Sequence, residues 1–137
     1  MSVTRYNAEG YTDPTPYLAL TNIAKEEKSR KAFRPLVYIC SPYAGNTEEN
    51  TENARKFSRM AVNYGFIPIA PHLLFTQFLD DENVNERELG LHFGNVLMDK
   101  CTEIWVCGSV VSKGMKAEIE RAKRKNYKIK YIKEIKL

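Results

Sequence analysis

The sequence predicts an α/β domain built on an open parallel sheet of about four or five strands, with helices on both faces. Three observations predict it. Short β-branched apolar runs end at Ser-Pro, Pro-His or glycine, as buried strands do where they break into loops. The stretches between them repeat apolar residues at three- and four-residue steps, the period of an amphipathic helix. The resulting order, β-α-β-α-β-α-β, needs crossover connections, which are right-handed and cover both faces of a sheet. At 137 residues the chain is the length of one domain, with an appended arm over residues 1–34 and the α/β domain over 35–137.

The first strand is PLVYICS, residues 35–41, closed by Pro42. The helix over 47–64 carries Ala54, Phe57, Ala61 and Tyr64 on one face and ends at Gly65, a residue that accepts the left-handed conformation that stops a helix. FIPIA, residues 66–70, forms the second strand. Its Pro68 has no N–H to give a neighbour, which assigns it to an edge or an irregular position. Residues 84–100 form a helix with Leu89, Phe93, Val96 or Leu97 and Lys100 along one face, followed by the strand EIWVCG at 103–108. Ser112 caps a helix running to about Asn126, and the alternation of YKIKYIKEI at 127–135 makes a last, partly exposed strand. In the arm, Asp13-Pro14 starts a helix that places Tyr17, Leu20 and Ile23 or Ala24 on one side.

Composition narrows the function classes. With 43% hydrophobic and 28% charged residues, the chain matches a folded globular protein. No run approaches the about 20 apolar residues of a membrane span, and the N-terminus has no signal-peptide core, so the cytoplasm is expected. Cys40, Cys101 and Cys107 form no CxxC pair and point neither to a disulfide framework nor to zinc; Cys40 and Cys107 read as core filling. The net charge of +4 is uneven: residues 113–137 hold ten of the 21 Lys/Arg but three of the 17 Asp/Glu, leaving 11 against 14 elsewhere. Such a run is a solvated helix face or a surface for an anionic ligand. No aromatics interleave it, so no nucleic-acid partner is expected.

Open parallel sheets bind ligands beyond the C-terminal ends of their strands. The pocket is therefore expected from Ser41–Asn46, Pro71–Leu74 and Gly108–Glu118. In the last of these, Met115, Ile119, Ala122 and Asn126 form one helical stripe at 100° per residue and Glu118 lies about 60° off it. Glu118 is thus at a seam, half-buried, while Glu120 points to solvent. Two readings are open: the carboxylate caps backbone donors or pairs with a lysine, or it is held for chemistry. A carboxylate beside an anomeric carbon can form a covalent glycosyl intermediate without any cofactor. Tyr38, Ser41, Tyr43, Asn46 and Ser112 offer hydroxyl and amide groups at strand ends, residue types that equally serve turns. His72 after the second strand is a pocket-wall or a structural histidine, His92 is surface or helix packing, and Trp105 is core. Two distant histidines make no metal site. The Pro42–Gly45 loop has neither GxGxxG nor GxxxxGK, which excludes dehydrogenase and kinase patterns.

The combination of VYICSPYAG, the helix start with Asn50 and Asn53, GFIPIAPH and EIWVCGSVVSKGMKAEIERA resembles the nucleoside 2-deoxyribosyltransferase-like superfamily. More closely it is similar to an uncharacterised branch found in phage and mobile-element genomes, in which the NAEGYTDPT lead recurs. The resemblance covers about residues 35–135. It implies a Rossmann-like fold, a homo-oligomer (dimer or higher), and cleavage of the N-glycosidic bond of a deoxynucleoside or its 5′-monophosphate, with the sugar passed to another base or to water. By position it makes Glu118, in the GM-x-x-E pattern, the nucleophile and Tyr38 the residue that steadies it. It assigns sugar and phosphate contacts to Ser41, Pro42, Tyr43, Gly45 and Asn46 of the SPYAG loop and its flank, and to Gly108, Ser109, Ser112, Lys113, Gly114 and Met115. The backbone amides at Ser112–Gly114 would cradle an anion. A family aspartate that acts on the base or ribose falls on Gly94 or Asn95 here, neither of them acidic, and Asp99 is about one helical turn away. A non-catalytic nucleotide or sugar-phosphate sensor is therefore the alternative. A hydrolase of another N-ribosyl compound, such as a dinucleotide, is a third reading.

Overall fold

The computed structural model describes residues 33–137 together with residues 23 and 24. The chain divides into two units, Met1–Phe33 and Arg34–Leu137; the helical arm expected over 1–34 lies almost wholly outside the described residues. The elements of the second unit are β1 (Leu36–Cys40), α1 (Thr47–Asn63), β2 (Ile67–Ile69), α2 (Pro71–Leu74), a 3₁₀ turn (Phe75–Gln77), α3 (Val84–Met98), β3 (Glu103–Cys107), α4 (Lys113–Arg124) and β4 (Lys128–Ile132). The expected order holds, and each element is shorter than its sequence run. The short helix and 3₁₀ turn after β2 stand where the sequence pattern predicts only a loop.

The four strands pair in the order β2-β1-β3-β4, all parallel, an open Rossmann-like sheet. Pro68 lies in the edge strand β2 opposite Val37, where its missing N–H costs no central ladder bond. Strand alternation divides the core into two layers. Val37, Ile39, Trp105 and Cys107 meet Phe57, Met60 and Ala61 of α1. Tyr38, Cys40, Ile104 and Val106 turn to the other face, against Met98 of α3 and Met115, Ile119 and Ala122 of α4. Helices thus cover both faces. β1 and β3 are the buried centre, whereas β4 alternates exposed and half-buried residues.

Local chemistry sets the helix ends. Asn46 caps α1 by accepting from the Glu49 N–H, and Asn83 caps α3 by accepting from the Glu86 N–H. α1 stops where Gly65 adopts φ 87°, which lets Phe66 N–H reach Ala61 O and Gly65 N–H reach Val62 O, the paired bonds of a Schellman end. Asn126, at φ 58°, does the same for α4. Within β3, the buried Glu103 accepts from Trp105 Nε1 at 2.7 Å and pairs with Lys130 at 3.2 Å and Lys128 at 3.6 Å. Burial pushes its pKa up, but these partners outweigh that and hold it below the usual range.

Asp99, just past α3, accepts from both guanidinium nitrogens of Arg121 at 2.8 and 3.0 Å, from Tyr127 Oη at 2.6 Å and from Lys125 at 3.3 Å. Arg121 first, then Tyr127, holds its carboxyl well below the usual carboxylate range. This carboxylate ties the end of α3 to α4 and to the start of β4, and it does not line the Glu118 cavity described below. Asp99→Ala is expected to lower Tm by a few degrees and to leave the chemistry of the candidate site unchanged, as paired melting and turnover measurements would show.

Candidate functional site

Tyr38 is three residues into β1 and points to the α3/α4 side, with Cys40 two residues further on the same face. Glu118 enters that space from the second turn of α4, whose start is fixed by Ser112 accepting from the Met115 N–H at 3.3 Å. The seam position read from the helical wheel is the observed one: Glu118 is half-buried, Met115 and Ile119 are core, and Glu120 is exposed. Its Oε2 is buried and has no hydrogen-bond partner among the described residues. Burial raises the Glu118 pKa to about 7, while the Tyr38 hydroxyl and the Cys40 thiol pull it the other way. Burial, and then the Glu118 charge, raises Tyr38 well above its ordinary value and pushes the Cys40 thiol up strongly. Neither residue ionises near neutrality, so both keep the protons that favour the ionised carboxylate. Among the described residues, neither a lysine nor a backbone donor reaches Oε2.

Glu118 and Tyr38 line a cavity of about 60 Å³, room for about two waters, that opens to solvent past a wider mouth. Pro71, His72, Phe75, Thr76, Leu79 and Asp81 line it from the segment after β2, and Glu86, Arg87, Gly90, Leu91, Gly94 and Asn95 line it from α3. Gly94 is what lets α3 come this close, because a Cβ there would meet Tyr38 Oη at 3.3 Å. Burial lowers the His72 pKa, against a smaller opposing pull from Asp81, so the imidazole is neutral at pH 7. Its ring stacks on Tyr43 with centroids 5.0 Å apart, which links the SPYAG loop to the cavity wall.

The other expected ligand residues are not brought together with Glu118. Ser41, Pro42, Gly108 and Ser109 line a second crevice of about 350 Å³ with Asn50, Asn53 and Lys133, on the α1 side between the ends of β1 and β3. The cause is strand parity: Ser41 follows Val37 and Ile39 onto the α1 face, opposite Tyr38 and Cys40. Asn46 caps α1 and also donates to Glu49 Oε2 at 2.9 Å. Gly45, at φ 96°, makes the turn into that helix. Ser112 is the cap of α4, Lys113 and Gly114 are exposed in its first turn, and Met115 is 1% exposed in the core, with its Sδ accepting from the Ser112 N–H at 3.4 Å. His92 is exposed, and Trp105 is 2% exposed in the core as expected.

Sequence reasoning missed Cys40 as a neighbour of Glu118 and the whole wall from Phe75 to Leu91. One signal for it was present: Gly90 and Gly94, four apart, leave one face of α3 without side chains. No helix among the described residues is long and apolar enough to cross a membrane, and no group of three or more His, Cys, Asp or Glu among them is placed to hold a metal ion.

Residues 35–132 match a family described as a domain of unknown function, DUF7768. The chain belongs to this family. No curated protein matches the chain. The match takes in all four strands and every described residue that lines the Glu118 cavity.

In this DUF7768 domain Tyr38→Phe removes a donor that favours the ionised carboxylate. The pKa of Glu118 is expected to move further upward, and any Glu118-dependent rate is expected to shift its pH midpoint to higher pH with little change in its plateau. A pH–rate profile of wild type and variant checks this.

Proposed function

We propose that this domain cleaves an N-glycosidic bond of a deoxynucleoside or deoxynucleoside 5′-monophosphate, with Glu118 as nucleophile and the sugar passed to water or to a second base. The observation that carries the reading is the Glu118 carboxyl: inward, buried at Oε2, unpartnered there, and facing a cavity beside Tyr38. A group desolvated to a pKa of about 7 is poised to react near neutral pH. One carboxylate oxygen attacks C1′, the C–N bond breaks with its electrons going to the base, and water or an acceptor base then releases the sugar. Tyr38 holds the carboxylate in place. The resemblance to the nucleoside 2-deoxyribosyltransferase-like superfamily supports this role for both residues. The cavity of about 60 Å³ takes only the reacting part of a nucleoside, and the remainder extends into the mouth. The reading requires no cofactor.

The same reading assigns the protein to the cytoplasm, where its three free thiols stay reduced, and to a homo-oligomer. α3 exposes Val84, Leu89, Leu91 and Val96, more apolar surface than a lone helix ordinarily leaves in water. The second reading, a nucleotide or sugar-phosphate sensor without turnover, is favoured by one feature: the α3 wall offers Gly94 and Asn95, but no acid, beside Tyr38.

The test is a mass-spectrometric screen of mixed deoxynucleosides and their monophosphates against the wild type and Glu118→Ala. The reading expects freed base and a sugar adduct on intact wild type, and neither in the variant. Equal base release by the variant contradicts it, and calorimetric binding without product supports the sensor.

A further inference from the structure

We propose that the cavity is built for an N-glycoside whose base carries a positive charge, a pyridinium or N-alkylated purine nucleoside, which it hydrolyses to the neutral base and the free sugar. The proposal rests on Glu118 acting as the nucleophile and adds the identity of the leaving group. Two observations carry it. The first is charge: among the described residues, Asp81, Glu86 and Glu118 line the cavity against Arg87 alone, and His72 adds no cation because burial keeps it neutral. The second is what the inner wall lacks. Gly94 and Pro71 meet at the Tyr38 hydroxyl, Gly90 and Phe75 add no polar side chain to the lining, Thr76 and Asn95 add only uncharged ones, and Tyr38 holds its own proton tightly. Among the described residues no acidic side chain other than Glu118 stands beside Tyr38, and the neutral His72 carries no second ring proton to give to a departing base.

These facts fit one kind of leaving group. An uncharged nucleoside expels its base as an anion unless an acid supplies a proton, help typically worth about 10² to 10⁴ in rate. A cationic base takes the electron pair of the C1′–N bond and leaves neutral, so no proton is required. In the first step Glu118 Oε bonds to C1′ as that bond breaks. In the second, water adds to C1′, the ester to Glu118 breaks, and one proton passes to solvent. The net reaction is a cationic N-glycoside plus water giving base, sugar and a proton. Before reaction, the acidic rim attracts the cation and the Phe75 ring offers it a π-face.

The experiment compares, on the full chain, a 2′-deoxyribosyl nicotinamide (a pyridinium nucleoside), thymidine and thymidine 5′-monophosphate, each rate corrected for the uncatalysed and Glu118→Ala backgrounds. The expected kcat/KM for the pyridinium substrate is at least about 100-fold above that for either thymidine compound. Asp81→Asn, a change at an exposed residue, is expected to raise KM for the pyridinium substrate by about 3- to 5-fold and leave its kcat unchanged. Thymidine or its monophosphate cleaved as fast or faster, with an adduct on Glu118, overturns this proposal and leaves the Glu118 mechanism standing. An unchanged pyridinium KM in Asp81→Asn overturns the rim argument. No cleavage of any of the three, and no adduct, removes both the mechanism and the proposal.

Discussion

Glu118→Gln is expected to reduce base release by at least about 10³-fold in kcat, with KM changed little. An amide of the same shape still fills the seam between α4 and β1 but has no charge with which to attack C1′. In the wild type the active form is the ionised carboxylate, so kcat/KM is expected to climb as pH rises through about 7, the pKa of Glu118, and to level off above it. Glu118→Gln should lose that climb along with the rate. Steady-state assays from pH 5 to 9 on both proteins measure both effects. A variant retaining wild-type turnover, or a wild-type profile flat from pH 5 to 8, contradicts the role.

The same substitution is expected to stabilise the fold. Glu118 has a folded pKa of about 7 against an ordinary value of 4.5, so between these values the native state holds a proton that the unfolded chain has released. Native stability is then lost as pH rises from 4.5 to 7 and is constant above. At about 1.4 kcal/mol per unit, ionising Glu118 in place costs about 3 kcal/mol, and most of that cost is absent near pH 5. Glutamine never bears it. Denaturant unfolding should show Glu118→Gln more stable than wild type by about 2 to 3 kcal/mol at pH 8, with the gap closing to about 1 kcal/mol at pH 5. A site kept at the expense of stability is expected where function requires it. A variant equally or less stable at pH 8 would mean that the carboxyl is not strained by burial.

The alternation of strand and helix was legible because its signals are local. Runs such as VYIC and IWVC name their strands, Gly65 and Ser112 mark helix ends, and Pro68 announces an edge. The seam position of Glu118 was equally legible, since it depends only on angles within one helix and on which stripe, Met115 and Ile119, is apolar. The separation of Ser41 from Tyr38 was open to the same reasoning through strand parity, and the expectation of a single pocket passed over it. The far wall was less accessible. Phe75 opens a 3₁₀ turn that follows a four-residue helix, with Leu79 and Asp81 just beyond it, elements too short to show a period, and α3 carries apolar residues on several sides, so its cavity-facing side has no clear stripe. The backbone approach at Gly94, against Pro71 and Tyr38, depends on packing between separate elements that no local pattern announces.

The most direct measurement is a ¹³C NMR titration of the Glu118 side-chain carboxyl in the intact protein, assigned with Glu118→Gln. A midpoint near 7 is predicted, moving upward in Tyr38→Phe. A midpoint near 4.5, unmoved by Tyr38→Phe, would place the carboxyl in open water and contradict the account.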